Sequence, residues 1–165
     1  MKAGTWIRIA IILALVAYGF ALFRDTEEWG LLHNIDLPIH ETGHLVFMPF
    51  GDTMHILGGS LFQILFPVVF VGYFLLRRDR FAAAVCLVWV AQNFFDVAIY
   101  VADARTQDLP LVGGGEHDWF NLLDQWNVLE RDTLYANRLR AIGALVLVGA
   151  LWLGIASAAD RPAES

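Results

Sequence analysis

The residues with the clearest chemical potential are His40-Glu41-Thr42-Gly43-His44, which match the pattern H-E-x-x-H. Side chains four apart on a helix stack on one face. His40 and His44 can therefore offer two imidazole nitrogens to one metal ion. Glu41 stands next to the first ligand, where it can act as a general base towards a water that the metal activates. Zinc suits this set, because neutral imidazole is a good zinc ligand and a catalytic site keeps one position open. The motif runs directly into Leu45, Val46, Phe47 and Met48. Polar groups so close to apolar sequence are costly unless they have partners. Pro38, two residues ahead of His40, fits the first turn of a helix, with Asn34 or Asp36 as its cap.

Two histidines need a third protein ligand. Three candidates stand in the sequence. His117 lies in Gly113-Gly114-Gly115-Glu116-His117-Asp118-Trp119, where the glycines permit a tight turn that returns the loop over the site. Asp96 and Asp103 are seven apart and share a helix face, with Asn93 three residues before Asp96. His117 is the first choice and Asp96 and Asp103 the alternatives. Asp118 is then a partner for a ligand imidazole, or a helix N-cap. Gln63 and Asn93 are candidates to hold an oxyanion or a substrate backbone, or else to form interhelical hydrogen bonds. His33 and His55 read as interfacial residues. Tyr18, Trp29, Trp89, Tyr100 and Trp152 read as packing or interface aromatics.

The elements that must position these groups are those of a membrane protein. Of 165 residues, 58% are hydrophobic and only 17% charged, well away from the composition of a soluble domain. The net charge of −6 argues against a nucleic-acid partner, which calls for a basic surface. One cysteine, Cys86, excludes an internal disulfide framework. Four apolar runs reach the roughly 20 residues needed to cross a bilayer: 5–23, 54–76, 81–101 and 139–159. The motif segment, 36–50, would extend only about 22 Å as a helix, so it reads as re-entrant or interfacial. Trp119, Leu122, Leu123 and Trp126 follow helical spacing and predict an amphipathic helix at the membrane surface, its indoles at headgroup depth. The expected fold is an all-α, multi-pass membrane helix bundle forming one domain over 1–165, with a disordered tail at 160–165. The basic loop Arg77-Arg78-Asp79-Arg80 should face the cytoplasm, which puts both termini inside and the motif towards the outer face.

His40, Glu41 and His44 at the start of a membrane segment, followed by glycines and further spans, resemble the site-2-protease-like intramembrane zinc metalloproteases. The resemblance covers about 36–103. It implies zinc on the two histidines, water activation by the glutamate and hydrolysis of a peptide within the membrane. The family's third ligand is an aspartate, usually in Leu-Asp-Gly. This chain has no such triplet, and its nearest counterpart is Asn93-Phe94-Phe95-Asp96. The resulting expectation is a zinc-dependent hydrolase, most readily a metallopeptidase acting on membrane or membrane-proximal peptides. The alternative is a non-catalytic membrane protein whose metal is structural or sensed.

Overall fold

Continuous apolar sequence with few helix breakers leaves the backbone one way to satisfy its polar groups inside lipid, which is to close its own hydrogen bonds. The computed structural model describes residues 3–25, 30–110 and 117–160. The expectations on Trp29, the glycine run at 113–115 and the tail beyond Asp160 fall outside the described residues. Within them the chain is all-helical. The six helices are α1 (Ala3–Arg24), α2 (His33–Phe47), α3 (Asp52–Leu76), α4 (Arg80–Ala102), α5 (Asp118–Gln125) and α6 (Asp132–Ser157). Helices α1, α3, α4 and α6 are long and apolar enough to cross a bilayer. They coincide with the four runs read from the sequence, except that α6 begins seven residues earlier than 139.

That early start has a cause that hydropathy does not register. The first turns of α6 carry Asp132, Arg138 and Arg140. Asp132 is buried and takes a 2.6 Å hydrogen bond from Arg105 Nε. Arg140 Nη1 donates to the carbonyls of Phe23 and Asp25 at 3.2 and 3.4 Å, satisfying acceptors at the end of α1. Paired charges of this kind are tolerated where isolated ones would not be.

Helix α4 is the hub: 67% of its apolar window is buried, against 28% for α3 and α6. It packs on α6, α3 and α1. Asp79 caps it, accepting from the Ala82 backbone N–H at 3.0 Å. Ile12, Ala84, Val88, Ala91, Phe95, Leu147 and Ala150 form one core between α1, α4 and α6.

Helix α2 starts at His33, with Leu32 as a cap residue that makes no side-chain bond. Pro38 therefore lies inside the helix, not in its first turn, and neither Asn34 nor Asp36 is the cap. The proline leaves the carbonyl of Asn34 without its usual i+4 donor. The amino end of α2 reaches deep among the long helices. The Leu31 N–H donates to Tyr18 Oη, and Asp36 accepts from Trp89 Nε1 at 2.8 Å. Its carboxyl end returns through the turn Met48–Phe50 and Gly51, whose φ of +96° suits glycine, into α3. The helix that carries the motif thus folds back antiparallel to the first half of α3.

The α2–α3 crossing runs backbone against backbone. A Cβ on Gly58 would stand 2.7 Å from the Gly43 carbonyl oxygen and 2.6 Å from Phe47 Cβ. The close approach that these glycines allow is what brings the motif against α3.

Helix α5 is amphipathic, and most of its apolar face lies on protein. Trp119, Leu122 and Leu123 are buried with Val97, Ala98, Val101, Ala104 and Ala136, and only Trp126 stays exposed. The reason is a polar anchor as much as an apolar one: Trp119 Nε1 donates to Ser60 Oγ of α3 at 3.0 Å.

Candidate metal centre

Helical spacing places His40 and His44 one turn apart on the face of α2 that meets α3, with ring centroids 4.8 Å apart. Asp118, the first residue of α5, closes the group from the other side. Its Oδ2 lies 3.0 Å from His40 Nε2 and 3.3 Å from His44 Nε2. One ligand atom from each of the three falls within 4.8 Å of the others, and together they could hold a metal ion.

The remaining ring nitrogens are also fixed. His40 Nδ1 faces Gln63 Oε1 at 3.1 Å, and His44 Nδ1 donates to the His55 carbonyl at 2.9 Å. His55 returns the favour, its Nδ1 donating to the His44 carbonyl at 3.0 Å. A backbone carbonyl only accepts, so His44 Nδ1 carries the proton. In the neutral ring Nε2 then presents a lone pair, aimed at a carboxylate oxygen. Only a proton or a metal ion resolves that juxtaposition. Metal-ligating histidines characteristically donate their other N–H to a carbonyl or carboxylate, the pattern seen here on both rings.

Without a metal, protons take the role. The hydrogen bond with Asp118 pushes the His44 imidazole up from its ordinary value, against the effect of burial. Burial works against charge on Asp118, but its bonds to His40 and His44 outweigh this and hold the carboxyl down at about 2. The site is an anion facing two rings that want a cation between them.

Space for an ion is built into α3. A Cβ on Gly59 would lie 2.6 Å from His44 Nε2 and closer still to His40 Nε2. The absence of a side chain there leaves a hollow at the convergence of the donor atoms. Donor types, aligned second nitrogens and this hollow all fit a divalent metal.

Asp118 is held by three contacts. Its backbone N–H donates to Tyr100 Oη at 3.1 Å, Trp119 ties α5 to Ser60, and His117 caps the helix by accepting from the Phe120 N–H at 3.1 Å. Tyr100 also packs on His117 and edge-on to His40.

Glu41 is exposed on α2 and lines the cavity that contains the three donors. The cavity has a volume of about 880 Å³, and His33, His55, Gln63, Asp96, Tyr100 and Asn121 contribute to its walls.

The other candidates read from the sequence are placed elsewhere. His117 does not join the histidine pair: its Nδ1 serves the cap and its Nε2 turns to Asp103 Oδ2 at 3.3 Å. Burial pushes the His117 imidazole down, with Asp103 acting in the opposite sense. Asp103 instead organises the loop after α4, accepting from Thr106 Oγ1 and from the N–H groups of Asp108 and Leu109. Asp96 lies deeper on α4, 3.4 Å from His33 Nδ1, so His33 is no bystander at the interface. Asn93 donates to the Trp89 carbonyl of its own helix. Gln63 makes an interhelical bond, and its partner is a ligand ring. Asp118 moves from supporting residue to third donor, and the N-cap role passes to His117. The run Gly58-Gly59-Ser60 carries the small-residue signature of close helix approach, which the α2–α3 contact bears out, but neither it nor Tyr100 nor the His55 carbonyl signals a role beside the histidines, because that depends on what α2 and α5 bring to them.

No family model, curated protein or solved structure matches this chain.

Proposed function

We propose that the chain is a membrane-embedded zinc-dependent hydrolase, a metallopeptidase acting on membrane or membrane-proximal peptides. The observation that carries this reading is the convergence of His40, His44 and Asp118 beside Glu41 on one cavity wall. Three protein donors leave a coordination position open, as catalytic zinc sites require and closed structural sites do not. A closed site would need His117 and Asp103 as well, and those two are engaged with each other and with the chain around them.

Bound zinc would supply Lewis acidity, polarising a substrate carbonyl and acidifying water. His40, His44 and Asp118 would hold it, with Gln63 and the His55 carbonyl orienting the rings. Glu41 takes the proton of the attacking water as its oxygen bonds to the carbonyl carbon. It delivers that proton to the amine as the C–N bond breaks. Tyr100 positions Asp118 through the backbone. An aspartate as third ligand accords with the resemblance to site-2-protease-like enzymes, although here it comes from a short helix. The Arg77-Arg78-Asp79-Arg80 loop lies at the far end of α3 from the cavity, which supports placing it in the cytoplasm and the site towards the outer face.

Glu41→Gln should keep the metal stoichiometry of the purified protein while hydrolysis of unstructured apolar peptides disappears. His44→Ala should lose the metal. Full metal content in the His44 variant would overturn the site, and full activity in the Glu41 variant would overturn the mechanism.

A further inference from the structure

The metal group takes up one part of the cavity, and His33 and Asp96 wall another. His33 lies seven residues before His40 on α2, so the two parts are about 10 Å apart along that helix. Asp96 is only 2% exposed yet borders the cavity. Its Oδ1 accepts from the Gly30 N–H at 3.4 Å, while among the described residues Oδ2 makes no hydrogen bond and has His33 Nδ1 as an ion-pair neighbour at 3.4 Å. One turn earlier on α4, fully buried Asn93 uses its amide N–H on the Trp89 carbonyl and leaves Oδ1 unbonded. Asp36, also fully buried, presents a second carboxylate nearby, bonded to Trp89 and Gln92.

Buried acceptors are ordinarily matched by donors, and a carboxylate oxygen with an amide oxygen one turn away, both unbonded, is a deficit of donors. The amino end of α2 offsets part of the negative charge, and His33 Nδ1 stands 3.4 Å from Asp96 Oδ2 without hydrogen-bonding geometry. A group with several N–H donors and a positive charge is what the deficit calls for.

We propose that the Asp96 end of the cavity is a cation subsite that receives the lysine or arginine side chain of a peptide substrate. The inference rests on the hydrolase reading and adds a specificity to it. An extended chain advances about 3.3–3.6 Å per residue, so about 10 Å sets the basic residue two or three positions from the bond at the metal. Asp96 is then a specificity residue and takes no part in the chemistry.

The test uses the full chain in detergent micelles, loaded with zinc, and fluorescent apolar peptides ending in a hydroxamate. The hydroxamate seats at the metal and sets the register. A single lysine is walked one to five residues from it, against norleucine and acetyl-lysine at the same positions, with dissociation constants read by anisotropy. Lysine two or three residues away should bind at least about tenfold tighter than either neutral residue, and Asp96→Asn should abolish that difference. The acetyl-lysine comparison needs no variant, so misfolding of Asp96→Asn cannot mask the answer. Metal-dependent binding with no lysine preference at any position overturns the subsite and leaves the metal centre standing. Absence of zinc, or of any hydroxamate binding, overturns the hydrolase reading and the subsite with it.

Discussion

Replacing Gly59 with alanine should empty the metal centre without touching a ligand. The added Cβ would lie 2.6 Å from His44 Nε2 and nearer to His40 Nε2, inside the distance any real carbon keeps. The rings can escape only by rotating, and rotation breaks the bonds of their Nδ1 atoms to the His55 carbonyl and Gln63. Each such bond contributes about 0.5–1.5 kcal/mol, and small-to-large changes in packed sites cost about 1–3 kcal/mol. The fold should absorb that, whereas ligand geometry should not. Loss of a single supporting bond lowers metal affinity by about 10–100-fold, so displacement of both rings should cost at least about 100-fold. A matched control lies on the same helix: a Cβ at Gly72 meets nothing within 4 Å. Gly72→Ala should keep full affinity and gain a little helix stability, up to about 1 kcal/mol. The assay is competition with a chromogenic chelator on purified protein in micelles, with far-ultraviolet circular dichroism to check helicity. Wild-type affinity in Gly59→Ala would show that no ion sits between those rings and would refute the argument.

Gln63→Leu leaves His40 Nδ1 facing an apolar group, and chelator competition should show metal affinity about 10–100-fold weaker, with His44 still engaged. Asp103 gives a pH signature. Burial works against its charge, but the bonds from Thr106, Asp108 and Leu109, with His117 opposite, outweigh burial and lower its pKa from the ordinary value of 3.8. A carboxylate stabilised in the folded state contributes stability above its unfolded pKa and loses it as pH falls through the folded value. Thermal melting should therefore fall off below about pH 4. Asp103→Asn should be less stable near neutrality and should show a shallower acid limb; parallel curves for the two proteins would contradict the assignment.

Patterning alone revealed the spans, because lipid imposes the same length and apolarity on each. It also revealed His40 and His44, because an i, i+4 pair is a local relation. The third donor was harder. His117 and Asp118 are neighbours in sequence, and which one turns to the histidines depends on where α5 begins. That in turn depends on His117 Nδ1 accepting from the Phe120 N–H, which makes His117 the cap and Asp118 the first helical residue. The face of α5 reads as lipid-anchoring in the sequence because Trp119 looks the same to a hydropathy scale in either setting. Its bond to Ser60 is a tertiary fact. The early start of α6 was hidden by charges whose partners, Arg105 and the carbonyls of Phe23 and Asp25, lie on other elements.

The folding back of α2 on α3 has a consequence for biosynthesis. Among the described residues, many polar partners of α2 are made after it: the His55 carbonyl and Gln63 on α3, then Trp89, Gln92 and Asp96 on α4, and Asp118, which follows His40 by 78 residues. A segment carrying Asp36, His40 and His44 has no stable place in hydrocarbon before those partners arrive. Packing of α2 against its neighbours would therefore be completed only after α3, α4 and α5 have been made. An ion held by His40, His44 and Asp118 would then be captured only at the end of assembly, and a truncated or stalled chain would lack the third donor.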